Sequence, residues 1–247
     1  MTPPAQPRTG SSTGPSTGLR AALVALVTLM TLAGCSRGPE EASGAIELGR
    51  AIRSLIAERR AGDPAPLQIN RAFIEQFQQP HLEIIVERPD LTGYLGLGLT
   101  RQDDLPGEIT TWSADDNSAL IFRNGMLIAT RGLAGNLISA DVPVKNGIAG
   151  PAHGGQRRYY LRSGNNQERV VTLACEITDL GPDPLEIYER FYRTRHLQEH
   201  CEGPVQNGQK TVVLNDYWVD SQNKKVWKSR QWAGPEIGYL RIRDLSN

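Results

Sequence analysis

The sequence predicts a mainly β protein: an antiparallel sheet, partial barrel or sandwich, with a short helical segment at its N-terminal end. Three observations carry this expectation. Beyond Pro80 the apolar residues recur with a period of two, whereas helical periodicity is confined to the residues before it. Polar turns separate successive alternating runs, and one of them is Asn124-Gly125, the strongest short hairpin signal in the chain. Glycine (25) and proline (16) are frequent enough in 247 residues to favour many turns over long helices.

The elements follow in order. Residues 1–18 are rich in Pro, Ser, Thr and Gly with one charge, Arg8, a composition that cannot bury a core. Arg20 then precedes a mostly apolar run, Ala21 to Ala33, with the proportions of a secretory signal. The run ends in Leu32-Ala33-Gly34-Cys35, which resembles the bacterial lipobox, where the cysteine thiol is lipidated before cleavage. Residues 1–34 are thus expected to be a signal peptide with a long n-region, and residues 35–44 a lipidated Cys35 and its tether. Several acyl chains on Cys35 would satisfy the need for more than one lipid signal in stable anchoring. Ser36, rather than aspartate, favours the outer membrane. Residues 45–247 form a single mainly β periplasmic domain in this reading.

Within that domain Leu48, Ile52, Leu55 and Ile56 form one helical stripe, ended by Gly62-Asp63-Pro64. A second short helix is predicted from Asn70 to Phe77. Strands follow over 81–87, 93–100, 108–113, 118–123 and 126–130. Two further hairpins join 156–162 to 168–177 and 210–219 to 224–232, while residues 185–200 read equally as helix or strand. On the last strand Val226 and Trp232 face one way and Trp227 the other, with Lys225.

Composition limits the function. With 27 basic and 27 acidic residues the formal charge is zero, which argues against a strongly basic nucleic-acid binder. No run of roughly 18 apolar residues is present, so no membrane-spanning helix is expected, against a transporter or channel. Of three cysteines, lipidation would use Cys35 and leave Cys175 and Cys201. In an oxidising compartment the pair is expected to bridge, closing a loop worth roughly 3.5 kcal/mol in chain-entropy terms; two buried free thiols are the alternative.

His196-Leu-Gln-Glu199-His200 matches the H-x-x-E-H pattern of inverted zincins. On a helix both histidines would share a face and Glu199 would serve as general base; on a strand they would lie about 13 Å apart, too far for one metal. Gly93, Gly96 and Gly98 mimic a dinucleotide loop but fall inside an alternating run. His153 has no marked partner, and Asp103-Asp104 and Asp115-Asp116 read as turn formers. No catalytic set, metal site or cofactor is therefore assigned. Four tryptophans (Trp112, Trp218, Trp227, Trp232) stand out among few aromatics, and one face of them is expected in the core.

Two blocks carry a family resemblance: Trp112 to Leu133 with Asn136-Leu137, including Ala-Thr-Arg131-Gly-Leu, and Asn215 to Asp220 with Trp227-Lys-Ser-Arg230-Gln-Trp232-Ala-Gly-Pro to Tyr239. With the lipobox they resemble the YjbF family of lipoproteins, related to the group 4 capsule lipoproteins. The resemblance implies a mainly β periplasmic domain on an outer-membrane anchor, with a non-enzymatic accessory role in capsular or extracellular polysaccharide production or export. It implies as partners an outer-membrane β-barrel, a second periplasmic protein and the polysaccharide itself. No catalytic residue comes with it. Arg131, Arg230, Trp227 and Trp232 are expected to contact glycan or partner, because planar guanidinium and aromatic groups suit carboxylates and sugar faces. A zinc-dependent periplasmic hydrolase using His196, Glu199 and His200, and a purely structural envelope lipoprotein, are the rival readings.

Overall fold

A computed structural model describes residues 69–246, apart from 78, 89, 134–135, 163–165 and 207–208. The signal peptide, Cys35, the tether and the helix expected around Leu48–Ile56 lie outside the described residues. The second predicted helix is a single turn, α1 (Arg71–Ile74). Asn70 caps it, its Oδ1 accepting from the Phe73 N–H at 2.9 Å. The chain then tightens through bonds from Gln76 to Phe73 and from Phe77 to Ile74, which end the helix short of the predicted Phe77.

Fourteen strands follow: β1 (His81–Val86), β2 (Leu91–Arg101), β3 (Ile109–Ser113), β4 (Ala119–Arg123), β5 (Met126–Arg131), β6 (Asn136–Asp141), β7 (Gly155–Arg162), β8 (Glu168–Pro182), β9 (Leu185–Ile187), β10 (Arg190–Tyr192), β11 (Arg195–Gln206), β12 (Gln209–Asp220), β13 (Lys225–Trp232) and β14 (Tyr239–Asp244). The expected antiparallel β architecture is present. Twelve of the strands make one sheet in the order β5-β4-β3-β2-β1-β14-β13-β12-β11-β8-β7-β6; β9 and β10 form a separate hairpin. Pairing of the first strand with the last, Ile84 opposite Ile242, rolls this sheet into a nearly closed barrel. Its two edges are consecutive in sequence. There the Thr130 Oγ1 of β5 accepts from the Leu137 N–H of β6 at 3.0 Å.

Alternation explains the wall. Leu82, Leu95, Trp112, Leu120, Phe122, Leu161, Leu173, Leu240 and Ile242 all pack into one buried cluster, each large aliphatic side chain contributing about 1.5–3 kcal/mol on burial. Asn124 and Gly125 both take positive φ (48° and 80°), the geometry that lets a two-residue turn follow the strand twist between β4 and β5. The segment of uncertain type, 185–200, is entirely extended apart from its turns.

The interior also holds charge. Arg157 on β7 and Glu199 on β11 are 1% and 0% exposed and form an ion pair. Asn215 Nδ2 donates to the same Glu199 oxygen at 2.7 Å and the Tyr217 hydroxyl donates to it at 3.3 Å. The Arg157 guanidinium lies 5.0 Å from the Tyr159 ring centre. Burial raises the pKa of the Tyr159 phenol to about 12 and that of Tyr217 well above its ordinary value, so both remain protonated. Two residues from Glu199, Cys201 sits opposite Cys175 of β8 and is disulfide-bonded to it, as the cysteine count led one to expect.

Removing one partner leaves a buried, uncompensated charge. Glu199→Ala should lose about 3–5 kcal/mol in denaturant unfolding, while an Arg157→Leu/Glu199→Leu double variant should recover most of that loss. A single-variant loss below about 1 kcal/mol would mean that the pair does not hold the interior together.

Candidate functional site

The outer face of the barrel wall carries the β9–β10 hairpin. Its two turn residues, Tyr188 and Glu189, both have positive φ (46° and 66°), uncommon for side chains of this size. Surrounding contacts hold them there. Leu185, Ile187 and Tyr192 are buried with Ile74, Trp227 and Leu245. Arg71 of α1 reaches under the hairpin and donates to the carbonyls of Ile187 (3.2 Å), Tyr188 (3.3 Å) and Leu245 (3.4 Å) and to the Tyr192 hydroxyl (3.2 Å). Glu83, which faces outward from β1 between inward Leu82 and Ile84, accepts from the hydroxyls of Tyr188 at 2.8 Å and Tyr94 at 3.3 Å and pairs with Arg243. Burial is the first cause that holds both phenols above their ordinary pKa; the neighbouring Tyr188 and then Glu83 add to it for Tyr94, and the Glu83 hydrogen bond and charge add to it for Tyr188. The hairpin is thereby strapped to β1, β2 and β14.

A bulge in β13 completes the arrangement. Trp218 pairs with Lys228 and Val219 with Val226, so Trp227 is an extra residue. Val226 packs with Met126, Tyr217 and Val219 in one cluster, whereas the Trp227 ring lies 3.9 Å from that of Tyr192 in the hairpin. The turn between β12 and β13 is tied by Asp220, whose carboxylate accepts from the N–H groups of Gln222 (2.9 Å) and Asn223 (3.1 Å) and from Asn223 Nδ2 (2.8 Å). Burial pushes the Asp220 carboxyl up, but the Asn223, Trp227 and Gln222 donors outweigh it and keep its pKa below the usual range.

Between the hairpin and this turn runs a groove of about 620 Å³, lined by Arg190, Phe191, Arg193, Gln222, Lys225 and Trp227 among others. Arg190 and Arg193 are exposed, and Phe191 is 75% exposed, the highest value among the large apolar side chains described. Lys225 is held by Asp244 at 3.1 Å and lies 4.0 Å above the Trp227 ring. Arg190, Arg193 and Lys225 thus line the groove together with Asp220, whose oxygens are already engaged. A second cavity of about 330 Å³ enters the barrel past Leu82, Trp112, Phe122 and Ile242 and shares Asn223 and Lys225 with the groove.

The structure separates the residues singled out in the sequence. Arg131 is exposed at the end of β5. Arg230 is bound: its Nε and a terminal nitrogen grip both Glu87 oxygens (2.7 and 2.8 Å), and its guanidinium lies 3.5 Å from the Tyr239 ring centre. Trp227 and Trp232 are 4% and 9% exposed, the latter edge-to-face on Tyr159, so neither offers a ring face to solvent. The groove residues Arg190, Phe191 and Arg193 were not foreseen, because a Tyr-Glu turn carries none of the residues that mark hairpins.

The zinc reading is corrected. His196, Glu199 and His200 lie on strand β11, not on a helix. Glu199 points into the barrel and is engaged by Arg157, whereas His200 is exposed and His196 is stacked on Trp218 and bonded to Asp216 at 2.8 Å. Cys175, Glu199 and Cys201 also cluster, but both sulfurs are in the disulfide. Gly93, Gly96 and Gly98 lie within β2. Asp103 and Asp116 act in turns, accepting from Leu105 and Ser118 N–H groups at 3.0 and 2.9 Å.

Fold and site together define a nearly closed antiparallel β-barrel with a strapped outer hairpin and a groove. Residues 49–245 match the family described as Group 4 capsule polysaccharide lipoprotein gfcB, YjbF, and the chain belongs to this YjbF family. Lipoprotein GfcB of Escherichia coli (strain K12) is 31% identical over 134 residues, which cover 53% of this chain and 61% of that protein. The crystal structure of the hypothetical lipoprotein YmcC from Escherichia coli (K12) superposes with a TM-score of 0.63 at 20% identity, covering 86% of this chain and 98% of that one, and shares the fold.

The outer ion pairs set the acid response. The Arg230 hydrogen bond, and then its charge and that of Arg241, hold Glu87 below its usual pKa, and Arg123 brings Asp103 to about 2. A depressed carboxylate contributes in full above its unfolded pKa, near 4, and loses that contribution as pH falls through the folded value. Thermal midpoints should therefore fall below about pH 4, less steeply in Glu87→Gln than in the wild type. An unchanged slope would show that the pair does not stabilise the fold.

Proposed function

We propose that the protein is an outer-membrane lipoprotein facing the periplasm and a non-enzymatic accessory in capsular or extracellular polysaccharide production or export. The observation that carries this reading is membership of the capsule-lipoprotein family across residues 49–245. The apolar run ending in Leu32-Ala33-Gly34-Cys35 supports the anchor, and the relatives GfcB and YmcC are themselves described as lipoproteins. A disulfide between Cys175 and Cys201 suits an oxidising compartment.

The accessory role rests on where the reactive groups lie. Glu199 is enclosed and ion-paired, and His196 is held between Trp218 and Asp216; neither is poised to act on a substrate. The exposed features are those of a binding protein: a groove and the rim of a barrel. An outer-membrane β-barrel and a second periplasmic protein are the partners of this proposal.

A clean deletion should lower surface and secreted polysaccharide, and the wild-type gene should restore it. Cys35→Ala should leave the protein unlipidated, displaced from the membrane fraction and unable to complement. Normal polysaccharide output in the deletion strain would refute the proposed role.

A further inference from the structure

The cavity that enters the barrel is apolar in its depth and polar at its mouth. Leu82, Trp112, Phe122 and Ile242, from β1, β3, β4 and β14, are buried and line its inner part. Thr100, Glu108, Asn223 and Lys224 are exposed and mark where it opens. Close-packed cores leave few voids larger than a water molecule, so a space of about 330 Å³ in this one calls for an occupant. It is about twice the size of an apolar cavity that holds one benzene ring.

The polar groups in its depth are already engaged within the protein. Trp112 Nε1 donates to Thr110 Oγ1 at 3.0 Å, and Ser229 Oγ accepts from Gln231 Nε2 at 3.0 Å. Asp244 is closed into a pair with Lys225 at 3.1 Å and accepts from the Ser246 N–H at 2.8 Å. Lys228 borders the cavity, but its ammonium lies 3.9 Å from the Trp218 ring centre. A sugar or a peptide needs free donors and acceptors in its site, because its own polar groups lose water on entry. An alkyl chain needs none and gains from every methylene it removes from water.

The opening is held in shape. Asn124 Oδ1 accepts from the Glu108 N–H (2.8 Å), and its Nδ2 donates to the carbonyls of Lys145 (3.0 Å) and Ile148 (2.9 Å). Gln231 Nε2 donates to the Gly125 carbonyl at 2.9 Å, and a Cβ at Gly125 would come within 2.6 Å of Val226 Cγ2, so the turn rests directly on the barrel wall. Ile148, next to the lining residue Ala149, is 41% exposed and gives the rim an apolar side chain. A chain would enter a preformed space, with little ordering of the protein.

We propose that this cavity takes one acyl chain of a membrane lipid, end first, with the polar head left at the mouth beside Glu108, Asn223 and Lys224. The apolar depth selects the chain. The membrane as its source rests on the proposed anchor at Cys35, which would keep the barrel beside such lipids; the polysaccharide role is not used.

The full-length lipidated protein is placed in phosphatidylcholine nanodiscs that carry a trace of phosphatidylethanolamine with a diazirine near the end of one acyl chain. A second arm supplies a diazirine-tagged free fatty acid instead. After illumination, labelled residues are mapped by mass spectrometry. Label from the lipid should fall on the inner lining, at Leu82, Trp112, Phe122 or Ile242, and excess maltohexaose should leave it unchanged. Leu97, half-buried in the wall, packs toward the interior. Leu97→Trp, which puts an indole into the cavity, should cut that label at least about tenfold. Leu97→Asn, which makes the wall polar without filling it, should cut it at least about threefold. Both are read in protein that retains its thermal midpoint within a few degrees. Label confined to the outer wall, inner label that neither variant reduces, or displacement by maltohexaose would each overturn the proposal. Inner label from the free acid alone would overturn the membrane lipid as source and keep the acyl-chain site. Polysaccharide output of a deletion strain bears on neither result, so the two readings stand or fall separately.

Discussion

A guanidinium and a carboxylate enclosed in an apolar barrel have no solvent to return to, so the strands that carry them must hold them together. Arg157 and Glu199 impose that constraint here. They sit on β7 and β11, on either side of β8, and the disulfide ties β8 to β11 two residues further along. Asn215 and Tyr217 bring β12 into the same network, and Trp232 donates its backbone N–H to Asn215 Oδ1 at 2.8 Å. Four strands thus share one polar centre, and the disulfide joins β8 to it as a fifth. A one-residue slip of β11 would turn Glu199 outward and His200 inward, so the network also fixes register.

The same alternation produces the outer surface. With Glu199 inside, His196 must face out, where it stacks on Trp218. With Leu82 and Ile84 inside, Glu83 must face out, where it receives Tyr94, Tyr188 and Arg243. An acid placed on the barrel wall becomes the point at which a separate hairpin is fastened. Arg71, from the one-turn helix before the barrel, fastens the other side. The groove is therefore a consequence of the wall, in which residues that face away from the core position the residues that face solvent.

Much of the architecture was legible because its signals were local. Asn124-Gly125 announces a tight turn since Asn and Gly tolerate positive φ, and the strands around it alternate cleanly over a buried face. The cysteine pairing was legible from count and compartment alone. The site was less so. The Tyr188-Glu189 turn is held by tertiary bonds rather than by its own residues, so nothing local marks it. The spacing of His196 and His200 would bring them together only on a helix, and the β ladder places them on a strand. Arg230 and Trp227 drew attention by type, yet one is neutralised by Glu87 and the other is covered by the hairpin. A residue's chemistry is visible in a sequence; whether that chemistry is already satisfied within the molecule is not.

The barrel holds its own polar centre, and the hairpin is a separate element strapped to its outer wall. Native-state hydrogen exchange on Arg71→Ala tests this division directly. Amides of Leu185–Ile187 and Arg190–Tyr192 should lose protection while those of β7, β8 and β11 around Arg157 and Glu199 keep theirs. Equal loss of protection in both regions would contradict it, because the hairpin would then be part of the barrel's own cooperative unit.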